Sequence, residues 1–326
     1  MTSLFKKPAG RNLLIGLVLA LSFCGVLFIV SFVRIYRFYR SLPGPRPAAA
    51  ATVEPGEFRP RDTPQELYLD AMKRILTRYG LEDRYVPLIR PQSRVGRLIA
   101  PFLKGDYLPL FWQLPFDPAV REAGKDWPRN AETMIGMKRL DNLQDCVTDV
   151  IRRNVPGDLI ETGAWRGGAC IFMRAVLKAY GDTGRRVWVA DSFEGLPEPE
   201  AGTEDAVLWQ GGEMAVSEEQ VRHNFARYGL LDDQVRFLKG FFIDTLPTAP
   251  VGQLAVLRVD CDLYDSITQS LQYLYDKVSA GGYVIIDDYG ALSPAKKAVD
   301  DFRKARGITD ELKPIDWSGY FWQKQN

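Results

Sequence analysis

The sequence predicts an α/β protein built on a doubly wound, mostly parallel sheet, with an N-terminal helical extension and one transmembrane helix. Three observations carry this. From Gly157 onward, short β-branched apolar runs alternate with helical patterns, as expected of parallel strands covered on both faces. Acidic residues collect where those runs end, and open α/β sheets bind ligands beyond the carboxyl ends of their strands. Near the N-terminus, positions 13–33 contain no charged residue. Such a run is long enough to cross a hydrocarbon core about 30 Å thick.

Taken in order, 1–12 form a basic tail and 13–33 the expected span. Basic and aromatic residues (Arg34, Tyr36, Arg37, Tyr39, Arg40) follow the span like an interfacial anchor. A cleaved signal peptide is the alternative, although its apolar region is typically about 7–15 residues. Lys6, Lys7 and Arg11 balance Arg34, Arg37 and Arg40, so the positive-inside count gives no orientation. The rest of 34–63 is a Pro/Ala-rich linker.

A helical and lid region is expected over 64–156. Leu67, Met72, Ile75 and Leu76 recur at helical spacing within 65–79, and Gly80 supplies a stop. The Pro- and aromatic-rich stretch to residue 129 has no clean period and is expected to wrap over the domain or form a lid, with 90–129 against the ligand pocket. Helical spacing resumes over 132–153 and ends at Pro156-Gly157.

In the ligand-binding domain, 157–326, strands are expected at 158–163, 186–193, 234–240, 254–262 and 281–289. Helices are expected at 168–180, 217–228, 264–278 and 293–305. Two terminal runs, 312–317 and 320–323, flank Ser-Gly and suit a closing antiparallel hairpin.

Composition narrows the function. With 42 Lys and Arg against 41 Asp and Glu, the chain lacks the basic excess of a nucleic-acid binder. Its four cysteines include no CxxC pair, which excludes zinc ribbons and favours reduced, buried thiols. The one histidine, His223, falls in an amphipathic helical pattern and reads as a surface or packing residue.

The strand ends hold the candidate chemistry. Glu161-Thr162-Gly163 and the following Gly167-Gly168 make a glycine-rich strand-to-helix turn suited to close ligand approach. Asp191, followed by Ser192, ends the next strand where doubly wound folds place a carboxylate against a ribose diol. Asp260, Asp287 and Asp288 follow buried apolar runs, where unpaired charge is costly. An all-oxygen set of this kind suits Mg²⁺, Ca²⁺ or Mn²⁺; the alternative is helix capping or pairing with Arg258 or a lysine. Asp262, two residues past Asp260, is placed to take a proton from a metal-activated hydroxyl. There is no GxGxxG and no P-loop.

The strings PGDLIETGAWRGGACIFMRAVL, VWVADSFEGLP, LRVDCDLYDS and GGYVIIDDYG resemble the macrocin O-methyltransferase (TylF-type) family, over about 63–323. The resemblance implies a Rossmann-like methyltransferase that uses S-adenosylmethionine and a divalent cation, usually Mg²⁺, to methylate sugar hydroxyls on natural products. It further implies cofactor contacts at Thr133, Met134, Glu161, Gly163, Gly167, Asp191 and Ser192. Metal ligands are implied at Asp260, Asp287 and Asp288, with Asp262 as base.

The reading is therefore a single-pass membrane O-methyltransferase acting on a small-molecule hydroxyl, with no nucleic-acid partner and homo-oligomer formation left open. Its catalytic domain is expected in the cytoplasm, where the cofactor is made. A nicotinamide-dependent oxidoreductase and a non-catalytic, membrane-anchored cofactor-binding scaffold are the rival readings.

Overall fold

A computed structural model describes residues 63–87 and 111–325. Thr63 caps α1 (Pro64–Leu76), accepting the Glu66 N–H on its hydroxyl, and Pro64 sits at the first turn, where no amide is needed. Two short strands, β1 (Arg84–Pro87) and β2 (Phe111–Leu114), pair antiparallel, within the stretch that shows no period in the sequence. After the short α2 (Pro118–Glu122) comes α3 (Gly136–Arg152). It starts four residues later than expected, because Gly136 at φ +77° packs where a Cβ would meet the backbone of Glu122 and Gly124.

The remainder follows the alternation read from the sequence. It comprises β3 (Asp158–Thr162), α4 (Gly168–Ala179), β4 (Val187–Asp191), α5 (Asp205–Leu208), α6 (Glu218–Arg227), β5 (Val235–Lys239), α7 (Phe242–Thr245), β6 (Leu254–Val259), α8 (Tyr264–Leu274), β7 (Val278–Ile286), α9 (Ser293–Arg306), β8 (Lys313–Pro314) and β9 (Tyr320–Gln323). The sheet order is β5-β4-β3-β6-β7-β9-β8. β5 to β7 are parallel, and β8 and β9 close the edge antiparallel, as the Ser-Gly turn leads one to expect. The order reverses between β3 and β6, so the ligand crevice belongs there.

Both faces of the sheet are buried. One packs Leu69 and Leu76 of α1, Leu140 and Leu143 of α3, Phe172 of α4 and Phe225 of α6 against β3 and β4. The other packs Leu271 and Leu274 of α8 and Val299 and Phe302 of α9 against β6 and β7. The described part of 64–156 thus shares its core with the sheet. Arg121, 1% exposed, joins α2 to the end of α1 through the carbonyls of Thr77 and Arg78 and through Asp126. Cys146, Cys170 and Cys261 are free and buried.

The membrane part of the expected architecture is corrected. No helix among the described residues is long and apolar enough to cross a membrane. The longest is the 17-residue α3, which is amphipathic and lies against the sheet. The stretch that carried the expectation, 13–33, lies outside the described residues, as do the basic tail and linker. A charge-free run meets a length criterion only; spanning also needs a continuous helix. The transmembrane helix, the membrane as a partner and the single-pass localisation, with the catalytic domain placed in the cytoplasm by cofactor supply, are corrected on the described residues.

Candidate active site

Strand register builds the site. Thr162, Val259 and Ile286 lie level across β3, β6 and β7. The ladder runs one residue further, as the Asp260 N–H donates to the Thr162 carbonyl at 2.9 Å and the Asp287 N–H to the Val259 carbonyl at 3.0 Å. Two carboxylates therefore emerge side by side at one sheet end, with Asp288 next to them. One oxygen from each of Asp260, Asp287 and Asp288 lies within 4.8 Å of the others.

Arg258 faces Glu161 across the β3–β6 pair and is 1% exposed. It donates to Glu161, Asp287 and, at 2.7 Å, Asp260. Arg139 of α3 adds bonds to Asp287 and, at 3.1 Å, Asp316. Pairing of Asp287 with Arg258, one of the alternatives left by the sequence, is thus present. It does not exhaust the negative charge: Glu161, Asp260, Asp262, Asp287, Asp288 and Asp316 face two guanidiniums. The Asp288 Oδ2 is buried without a hydrogen-bond partner among the described residues.

Electrostatics register the excess. Burial and the Asp287 charge push Asp260 up to about 6, although Arg258 opposes them. Burial, then Asp260 and Asp287, push Asp262 up to about 8. Burial and Asp262 raise Asp288 well above the carboxylate range. Burial likewise lifts Glu161 to about 7. A cation among these oxygens would relieve the repulsion, and an unpartnered oxygen in an all-carboxylate set fits a hard divalent ion.

Beside the cluster is a cavity of about 820 Å³. Its wall includes Thr133, Met134, Glu161, Gly163, Asp191, Ser192, Asp260, Asp262, Asp287 and Asp288. Gly167 is absent from that wall. It turns into α4 at φ +84°, and a Cβ there would sit 2.8 Å from Val221 of α6, so packing explains this glycine. Gly163 is needed for close approach, since a Cβ would overlap the Asp260 carbonyl oxygen. Thr133 and Met134 lie in the loop before α3 rather than within the helix. His223 is exposed on α6 and does not line the cavity.

Asp191 has a structural task that the sequence did not reveal. Its Oδ2 accepts the N–H groups of Ala164 (2.8 Å) and Trp165 (3.1 Å), and its Oδ1 accepts that of Phe193 (2.8 Å). It clamps the glycine-rich turn to the end of β4. Also missed were Arg139, Asp316 and the wall 195–200, which lines the cavity in the β4–α6 connection. Of the described part of 90–129, only Gly124 reaches the cavity. The length of the β4–α6 connection was the available signal, because long loops in compact domains are commonly functional.

Comparison with known proteins agrees with this geometry. The macrocin O-methyltransferase (TylF) family profile matches residues 65–324. The chain is 51% identical over 264 residues to the 8-demethyl-8-(2,3-dimethoxy-alpha-L-rhamnosyl)-tetracenomycin-C 4'-O-methyltransferase of Streptomyces olivaceus, covering 79% of this chain and 93% of that one. It is 57% identical over 210 residues to the demethyldecarbamoylnovobiocin O-methyltransferase of Streptomyces niveus, covering 63% and 80%. Among solved structures, the O-methyltransferase NovP matches with a TM-score of 0.69 at 48% identity, covering 80% of this chain and all of that one. These matches displace the oxidoreductase and scaffold readings. The chain belongs to the macrocin O-methyltransferase (TylF) family and is an S-adenosylmethionine-dependent O-methyltransferase.

Proposed function

We propose that this enzyme methylates a hydroxyl of a sugar, or of a glycosylated small molecule, with the help of a divalent cation held by Asp260, Asp287 and Asp288. The observation that carries the metal is the convergence of those carboxylates within 4.8 Å, with the Asp288 Oδ2 left without a partner among the described residues. The sugar is supported by relatives whose names specify a rhamnosyl tetracenomycin and demethyldecarbamoylnovobiocin.

Thr133, Met134, Glu161, Gly163, Asp191 and Ser192 are the residues proposed to cradle the cofactor, which supplies the methyl group. The acidic wall suits its sulfonium charge. When bound, the cation lowers the pKa of a hydroxyl in contact with it. Arg258 and Arg139 fix the orientation of Asp260 and Asp287. Asp262 receives the hydroxyl proton. It is held at φ +60°, a backbone region that a non-glycine residue occupies at a cost of about 1–3 kcal/mol, which puts its carboxylate on the cavity wall. Position and proton transfer thus come from the chain.

The test is incubation of the enzyme with S-adenosylmethionine and a panel of methyl 6-deoxyhexopyranosides, followed by mass spectrometry. An O-methylated sugar is the expected product. Methylation of catechols to the exclusion of every glycoside would contradict the assignment.

A further inference from the structure

The turn between β8 and β9 puts an aromatic ring on the cavity wall that the scheme above does not use. Trp317 lines the cavity and is 45% exposed. Its indole N–H donates to the Ala123 carbonyl at 2.6 Å, which uses the one hydrogen-bonding group the ring has. What stays open is π face and C–H edge. The Lys125 ammonium, 5.7 Å from the ring centre, helps to hold it.

The backbone under the ring is equally fixed. The Asp316 Oδ1 accepts the Ser318 and Gly319 N–H groups at 2.9 and 2.8 Å, and its Oδ2 accepts from Arg139 at 3.1 Å. The Ser318 hydroxyl donates to the Asp287 carbonyl at 2.7 Å, and the Gly290 N–H donates to the Ser318 carbonyl at 2.8 Å. Trp317 is thus tied, through its neighbour in the chain, to the backbone of a proposed metal ligand. A large apolar ring left half open costs free energy in the free protein. Held this firmly, it recovers that cost on contact with a ligand at little further loss of entropy.

Strand order decides which ligand. The cofactor contacts proposed at Gly163 and Asp191 lie at the ends of β3 and β4, whereas Trp317 precedes β9, beyond β6 and β7. With neighbouring strands about 4.8 Å apart, β9 lies roughly 14 Å from β3. The Asp260 and Asp287 strand ends stand between them. An acceptor that offers an oxygen to that cluster, opposite the methyl donor, therefore extends toward β9. A pyranose carries its hydroxyls around the edge and C–H bonds on its faces. The face is the part that an indole with no free hydrogen-bonding group can bind.

We infer that Trp317 stacks on a C–H face of the acceptor's sugar ring and sets the affinity for it. This rests on the sugar reading proposed above. Such a platform reads ring faces and not edge hydroxyls, so it serves sugars whose other oxygens are free and sugars whose other oxygens are already methylated.

The test takes the methyl 6-deoxyhexopyranoside that the full-length wild type methylates best, its mono-O-methyl ethers at the other positions, and its 4-nitrophenyl counterpart. Trp317→Ala is expected to raise KM about tenfold for all of them, with a smaller change in kcat. Its S-adenosylmethionine affinity should stay at the wild-type value in calorimetry. Trp317→Phe keeps a π face but loses the Ala123 bond, and its KM is expected to stay within about threefold of wild type. Adding the methyl glycoside to the complex with S-adenosylhomocysteine and Mg²⁺ is expected to shift the tryptophan emission of the wild type and not that of Trp317→Phe. An unchanged KM in Trp317→Ala overturns the inference, and so do equal losses in the two variants, which would make the Ala123 bond the ring's whole role. A loss confined to the nitrophenyl glycoside also overturns it, because the ring would then lie against the aglycone. An undiminished emission shift in Trp317→Phe does the same, even if Trp317→Ala does not fold. Failure of the wild type to methylate any sugar in the panel overturns the proposed function, and this inference with it.

Discussion

Asp262, Trp165 (φ 47°) and Met214 (φ 65°) line the cavity with their backbone held in the left-handed region. Backbone strain gathered at one place, together with six carboxylates against two guanidiniums, marks where stability has been traded for reactivity. Asp260 and Asp262 have folded-state pKa values of about 6 and about 8, above the roughly 3.9 of an unfolded aspartate. The folded state therefore binds more protons between those limits, and the metal-free protein loses stability as pH rises through them. Mg²⁺ prefers the ionised cluster, so thermal melts should show the decline with pH flattened by Mg²⁺. A decline identical with and without the ion would contradict the metal site. Asp262→Asn is expected to lower the methyl-transfer rate by about 10²–10⁴ with S-adenosylmethionine affinity unchanged in calorimetry. A near wild-type rate would remove it as base. Asp288→Asn should weaken Mg²⁺ binding at least about tenfold, because it changes the oxygen left unpartnered among the described residues.

Between elements, the network that holds the site also holds the fold. Arg258 stands between Glu161 of β3 and the Asp260 and Asp287 strand ends. Its replacement by Met should cost about 3–5 kcal/mol in denaturant unfolding, because buried carboxylates lose their counter-charge. Addition of Mg²⁺ should recover part of the loss. Away from the site, Arg174 of α4 binds both oxygens of Asp232, at 3.0 and 2.6 Å, in the turn before β5. This contact lowers the Asp232 pKa. Its stabilisation is therefore present above the ordinary aspartate pKa and is lost as pH falls through the lowered one. Because Asp232 is partly exposed, Asp232→Asn should cost only about 1 kcal/mol near neutral pH, with the gap from wild type closing in acid.

The five parallel strands and their helices were legible in the sequence, since β-branched runs and 3.6-residue spacing reflect burial on two faces. Their carboxyl-end acids were legible for the same reason. What was hidden depended on packing between distant segments. Arg139 reaches Asp287 and Asp316 from α3, and neither partner is near it in the chain. The β1–β2 pair, joined by a long connection, carries no local turn signal. Asp191 reads as a ligand contact but spends three hydrogen bonds on backbone amides.

At the scale of the whole molecule, a three-layer α/β body presents one cavity wall on which the strand ends, the loop before α3, the β4–α6 connection and the β8–β9 turn meet. The expectation of a membrane span came from hydropathy at 13–33, whereas the family match begins at residue 65. The methyltransferase assignment therefore does not depend on that stretch. On the proposed reading, methyl transfer to a sugar hydroxyl depends on a cation at Asp260, Asp287 and Asp288. The most direct measurement is transfer of label from methyl-labelled S-adenosylmethionine to a glycoside acceptor, before and after chelation and again on adding Mg²⁺. Cation dependence requires that chelator abolish transfer, that Mg²⁺ restore activity in the wild type, and that Mg²⁺ not restore activity in Asp260→Asn. Transfer at an unchanged rate in chelator would contradict it.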